Sequence, residues 1–196
     1  AIEVIKEARC LPECNPSALG DGDGWVRDPV PLPAIPGACV EYRIIVLNAS
    51  GAGVRLCRFE FTDEMLVNGL HDSSHFVGNP RDVRLLGRRC QGVDFAEVLN
   101  WNGQAFSCTL MDSVAPSLPR PLEPGESLVV RFVGRLKQAD PSGAPNVDQV
   151  PTNHIAVRGD GTCADACAND RSIGFSCEGK DQVALDLQSC DFTVVD

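Results

Sequence analysis

Long apolar runs, helical periodicity and aromatic side chains are all scarce in this 196-residue chain. No apolar stretch approaches the ~20 residues that a membrane-spanning helix needs, so membrane insertion is not expected. The first residues, from Ala1, carry neither a basic segment nor the apolar segment of a signal peptide, which leads to the expectation of a mature, processed product. Catalytic signatures are missing as well. There is no G-x-S-x-G, no H-E-x-x-H and no phosphate-cradling glycine loop, and a pair such as Asp63 and Glu64 would point to opposite faces of a strand. An enzyme is therefore not expected, and a secreted enzyme of unknown reaction ranks last of three readings. Positive charge is also short: 17 Lys and Arg against 27 Asp and Glu give a net charge of -10, which argues against nucleic acid and anionic membrane surfaces as partners.

Cysteine, proline and glycine are plentiful. Ten cysteines are an even number at a density that suits an oxidising exterior, and disulfides account for them better than metal does. A zinc site would need paired ligands of the kind that Cys10 with Cys14 and Cys163 with Cys167 offer, but six cysteines would then be left over, and no histidine lies at the required spacing. Cys163 with Cys177 is the expected local disulfide of the C-terminal region. The chain is long enough to bury a full core without staples, so the disulfides point to persistence outside the cell, and an extracellular or cell-surface location is expected.

Two-residue alternation between turn signals recurs along the chain. Strands are expected at 2 to 8, at 39 to 47 (CVEYRIIVL), in VRLCRFEFTD, at 81 to 87, at 93 to 99, in SLVVRFVGRL, in NHIAVRG and in QVALDLQ. A short helical turn is expected in DEMLVNGL and a hairpin turn at Asn102-Gly103. The prolines of VPLPAIP restrict that segment to a sheet edge. Seven to nine short strands predict an all-β fold, an immunoglobulin-like two-sheet sandwich with long disulfide-stapled loops. The expected organisation is an N-terminal strand over 1-9, a candidate donor strand, followed by a single immunoglobulin-like β-sandwich domain over 10-196.

IEVIK, then PG followed by VEYRIIVLN, FEFTD, NGQAFSCTL, LEPGESLVVRF and NHIAVRG occur in an order and at a spacing that resemble the conserved-repeat domain of bacterial cell-surface proteins, a module of unknown function. The resemblance covers about the whole chain. It departs from the family in a longer insertion before the PG turn and in the missing proline after FTDEML, both loop features. The resemblance implies an immunoglobulin-like fold and a disulfide between Cys90 and Cys108. Closing that loop is worth about 3 kcal/mol in the chain-entropy model. With Cys90–Cys108 and Cys163–Cys177 set aside, the other six cysteines allow about fifteen connectivities.

Candidate sites follow from residue type. Asp21, Asp23 and Asp28 in GDGDGWVRD place hard oxygen ligands among glycines, the chemistry of calcium, although EF-hand spacing is absent and solvated turn aspartates are the simpler reading; no other cofactor is expected. His71 and His75 in HDSSH are a weaker metal candidate. Trp25, in the long insertion, is the candidate ligand-binding aromatic for glycans. Asn48-Ala49-Ser50 is a glycosylation sequon on an expected turn, and Arg158-Gly159-Asp160 an integrin-type tripeptide on an expected loop.

The first functional reading is a secreted structural subunit of an extracellular filament or surface assembly. Copies would join head to tail by donor-strand β-augmentation through Ile2, Val4 and Ile5. The C-terminal FTVVD is the other candidate donor. Pairing of residues 2 to 8 within their own domain is the competing expectation. The second reading is an adhesin or stalk module that binds carbohydrate or protein.

Overall fold

The computed structural model describes residues 1–115, 117–138, 149–160 and 176–187. Among these the strands are β1 (Ile2–Leu11), β2 (Leu32–Ala34), β3 (Cys39–Asn48), β4 (Arg58–Val67), β5 (Leu70–His71), β6 (Arg81–Leu86), β7 (Arg88–Cys90), β8 (Phe106–Asp112), β9 (Ser127–Arg135), β10 (Thr152–Asp160) and β11 (Ser176–Leu187). One α-helical turn, α1 (Phe95–Val98), and two 3-10 turns, Pro12–Cys14 and Pro16–Ala18, lie between them. The chain is an all-β sandwich of two sheets. One has the order β1-β3-β9-β6; the other runs β2-β11-β10-β4-β8-β7, with β5 paired to β4.

The alternation that defines the strands also builds the core. Val40, Tyr42, Ile44 and Val46 of β3 and Leu128, Val130 and Phe132 of β9 face Phe59, Phe61 and Met65 of β4 and Ile155 and Val157 of β10, all buried. Fully burying each such side chain stabilises the fold by about 1.5–3 kcal/mol. Tyr42 stacks on Phe132 with ring centroids 5.4 Å apart, and Trp101 meets both rings.

β1 belongs to its own domain. It pairs antiparallel with β3 along its whole length, from Ile2 opposite Asn48 to Leu11 opposite Cys39. Ile2 and Val4 are buried on the inner face, where two glycines of the facing sheet let them approach. A Cβ on Gly159 would lie 2.7 Å from Ile2 Cδ1, and one on Gly179 would lie 2.7 Å from Val4 Cγ2. The expected division into 1-9 and 10-196 is thus corrected, because it would cut a continuous strand. Ile2, Val4 and Ile5 act here as an internal strand, not as a free donor: the inward side chains of Ile2 and Val4 complete their own core, and Ile5 is half-buried on the opposite face. The other candidate donor, FTVVD, lies outside the described residues.

Four local expectations are corrected. DEMLVNGL continues β4 and then turns at Asn68-Gly69, both with positive φ (53° and 75°), into β5. That dipeptide makes the tight hairpin, as Asn-Gly is suited to do. At Asn102-Gly103 there is no strand–turn–strand hairpin, because the residues before it form α1 and loop. In place of a strand at 93 to 99, Asp94 caps α1 by accepting a hydrogen bond from the Ala96 amide. Finally, β10 runs on to Asp160, past the strand expected in NHIAVRG, and β11 begins at Ser176, well ahead of the strand expected in QVALDLQ.

Three of the sheet edges, β6, β7 and β2, are blunted in the way that discourages pairing with other chains, whereas β1 is a ten-residue edge. β6 carries a register irregularity between Arg81 and Arg84. β7 has three residues, and so has β2, which contains Pro33 and pairs parallel with β11. Outside β1, Val26 forms an isolated bridge with Ala8.

Candidate functional site

Strand alternation carries three polar side chains into the apolar interior. Lys6 lies in phase with Ile2, Val4 and Ala8, Asp63 with Phe59, Phe61 and Met65, and Asn153 with Ile155 and Val157. Lys6 and Asn153 are wholly buried and Asp63 is 1% exposed. They meet across the gap between the sheets. Lys6 Nζ donates to Asp63 Oδ2 at 2.7 Å, and Asn153 Nδ2 donates to Asp63 Oδ1 at 2.6 Å and to the Glu64 carbonyl at 3.2 Å. One carboxylate therefore holds the amine on one oxygen and the carboxamide on the other.

Aromatic rings form the wall. Lys6 Nζ lies 5.4 Å from the Tyr42 ring centroid and 5.3 Å from that of Phe132. Asn153 Oδ1 and Tyr42 Oη are buried without a hydrogen-bond partner. Burial pushes the Lys6 ammonium below the usual lysine range, and the nearby Asp63 charge only partly opposes it. Burial also raises the Tyr42 phenol well above its usual range, with the Asp63 charge adding to the effect. The cluster thus brings an amine, a carboxylate and a carboxamide together, all of them buried. The sequence reading missed it, although a lysine, an aspartate and an asparagine at inward positions of apolar strands were the available signal.

A second polar cluster covers the outer face of the four-stranded sheet. Glu41, wholly buried, accepts from Arg9 Nε at 3.0 Å on one oxygen and from Arg131 Nε at 2.7 Å on the other. Residues between β1 and β2 fold over this face. Arg9 Nη1 donates to the carbonyls of Gly20 and Asp23, and Arg131 Nη1 donates to Asp21 Oδ1 at 2.8 Å. Trp25 lies on the guanidinium groups, 4.3 Å from Arg9 and 4.2 Å from Arg43 by ring centroid, and its Nε1 donates to the Asp21 carbonyl.

This geometry corrects two expected sites. Trp25 is half-buried and spends its ring face on arginines, so it is a loop anchor rather than an open platform for a sugar. Asp21, Asp23 and Asp28 do not converge on a cation: Asp21 is neutralised by Arg131, and Asp23 contributes its carbonyl to Arg9. Among the described residues no group of three or more His, Cys, Asp and Glu side chains is placed to hold a metal. The Arg131 hydrogen bond and charge hold the exposed Asp21 carboxyl below the usual carboxylate range. His71 sits 3.7 Å from Glu64 on β5.

Asn48 is corrected too. It is wholly buried, its Nδ2 donates to the carbonyls of Val54 and Leu122, both at 2.8 Å, and its Oδ1 accepts from the Ser50 amide. A glycan on that nitrogen would displace both bonds. Arg158-Gly159-Asp160 lies in β10, paired on both sides, not on a loop.

Cys90 and Cys108 are disulfide-bonded, with a Cα–Cα distance of 4.9 Å, and join β7 to β8. Cys14 is bonded to Cys39, which fastens the segment after β1 to the start of β3. Cys10 is a free thiol that donates to the Pro33 carbonyl. Cys163, the partner expected for Cys177, lies outside the described residues.

No family model and no curated protein matches the chain. Among solved structures it is similar to the pilus backbone protein RrgB of Streptococcus pneumoniae, at 15% identity and a TM-score of 0.35. The match covers 81% of this chain and 32% of that one, so the chain spans about a third of that protein's length.

Proposed function

We propose that the chain is a structural module of an extracellular filament or cell-surface assembly. The observation that carries this reading is where the disulfides lie. Cys14–Cys39 fastens the segment after β1 to the start of β3, and Cys90–Cys108, buried in the core, fastens the three-residue edge strand β7 to β8. Staples so placed suppress local opening, which serves survival among proteases in an oxidising exterior. The resemblance of the strand motifs to the conserved-repeat domain supports the same reading.

The mode of joining differs from N-terminal strand donation, since β1 is used internally. Copies would meet head to tail through other surfaces, and at the three blunted edges side-chain contact is favoured over backbone pairing. The adhesin reading is the weaker one, because the aromatic that would have anchored a glycan is engaged by arginines.

Sedimentation velocity and electron microscopy of the native protein test the proposal. The expected result is concentration-dependent association into regular polymers. A species that stays monomeric over the whole concentration range and is retained on a glycan array would overturn it in favour of an adhesin.

A further inference from the structure

Burying a lysine, an aspartate and an asparagine together is a costly arrangement, since apolar residues of similar volume would hold the sheets at least as well. The carboxylate is doubly satisfied, but Asn153 Oδ1 has no partner, and the amine lies against two aromatic rings. The arrangement calls for a chemical explanation.

We propose that Lys6 and Asn153 join in an intramolecular amide bond, formed by the protein itself with Asp63 as the catalytic residue. Asp63 first takes one proton from the Lys6 ammonium. This leaves a neutral amine beside a neutral carboxylic acid, a pair that a dry interior tolerates better than two charges. The amine lone pair attacks Cγ of Asn153, the new C–N bond forms, and Oδ1 carries the negative charge of the tetrahedral adduct. Asp63 gives its acid proton to Nδ2 and takes the proton that the attacking nitrogen sheds. The Cγ–Nδ2 bond then breaks and ammonia leaves. The products are a secondary amide between β1 and β10, ammonia and a protonated Asp63. Atoms and charge balance with no oxidant, reductant or cofactor.

The geometry supplies what the reaction needs. Both nitrogens, the one that enters and the one that leaves, rest on the same carboxylate, so a single group reaches both proton transfers. Holding amine and carboxamide together makes the step effectively unimolecular. Burial favours the unprotonated amine. Exclusion of water protects the adduct from hydrolysis.

Intact-mass measurement on the purified full chain, reduced and with every thiol alkylated, tests the inference. The wild type is expected to be lighter than its sequence by one ammonia, and digestion is expected to release a branched peptide joining the residues around Lys6 to those around Asn153. Lys6→Ala, Asn153→Ala and Asp63→Ala are each expected to show the full sequence mass, with far-ultraviolet circular dichroism reporting whether each is folded. The wild-type result decides the matter even if all three variants unfold. A folded wild type at full sequence mass would overturn the proposal. So would an ammonia loss that maps to another asparagine with no branched peptide. The structural-module reading is judged by association state instead, so either can fail without the other.

Discussion

Replacing Glu41 with alanine is expected to destabilise the protein severely, and the outer face of the sheet shows why. Glu41 is wholly buried under the segment between β1 and β2 and is the shared acceptor of Arg9 on β1 and Arg131 on β9. Arg9 is wholly buried and Arg131 is 6% exposed, so neither recovers full hydration when the carboxylate is lost. Removing one partner of a buried ion pair typically costs about 3–5 kcal/mol, because the remaining charge is left uncompensated. The half-exposed Arg84, 3.5 Å from Oε1, adds little. For a chain of this size about 4 kcal/mol corresponds to a fall in Tm of roughly 8–16 °C. Urea denaturation and calorimetry of the oxidised protein measure both quantities. Glu41→Gln, which keeps the shape and an acceptor oxygen but not the charge, should fall between wild type and Glu41→Ala. The double variant Arg9→Ala with Glu41→Ala should lose less than the two single losses added together. A Glu41→Ala protein within about 1 kcal/mol of wild type would refute the reasoning, since no buried pair behaves so.

Other outcomes follow from the same geometry. Replacing both Cys90 and Cys108 with alanine should cost about 3 kcal/mol, read as a lower urea midpoint that reductant no longer changes at this bridge. Gly179→Val should expel Val4 from its seat and expose β1 to proteolysis near the N-terminus, whereas Gly51→Ala, with open space around its added Cβ, should leave the digestion pattern unchanged. Because Asp21 titrates below the usual carboxylate range in the folded state, the stability it contributes is present above the unfolded value of about 3.9 and is lost as pH falls through the lower folded value. Trp25 fluorescence should therefore change below about pH 4, and an Asp21→Asn protein should lack that transition. In Asn153→Ala, which cannot form the amide, Lys6 remains an amine with a lowered folded pKa. Between that value and the unfolded ~10.4 the unfolded chain binds more protons, so stability should rise with pH. The cross-linked wild type should lack that slope.

Much of the architecture was legible because each long strand has one apolar face. β3, β4, β9 and β10 follow directly from alternation in VEYRIIVL, FEF, LVVRF and HIAV. What alternation hides is a second burial. Glu41 and Arg131 occupy outward positions and read as solvated, yet the segment carrying Trp25 closes over them. The two Asn-Gly pairs show the limit of turn chemistry. Asn68-Gly69 closes a hairpin because strand pairing is available on both sides, while Asn102-Gly103 follows a capped helical turn. That turn was itself visible as Asp94 followed three residues later by Glu97. The buried triad was the most informative miss. Each member is an isolated polar residue at an inward position, and nothing in one strand reveals that the other two lie opposite. Asn48 and Asp21 failed as sites for the converse reason: their local motifs fit a modification and a metal, but their atoms are already hydrogen-bonded.

The pairing of β1 also bears on the order in which the molecule can form. Lys6 depends on Asp63, 57 residues away, and its backbone amide on Asp181, 175 residues away. Contacts so distant in sequence come late and slowly, because loop-closure entropy is lost before they repay it. The first strand thus waits, apolar and unpaired on its inner face, until the last sheet strands are in place. During that interval, and not in the finished fold, its slot is open to the same strand of another copy.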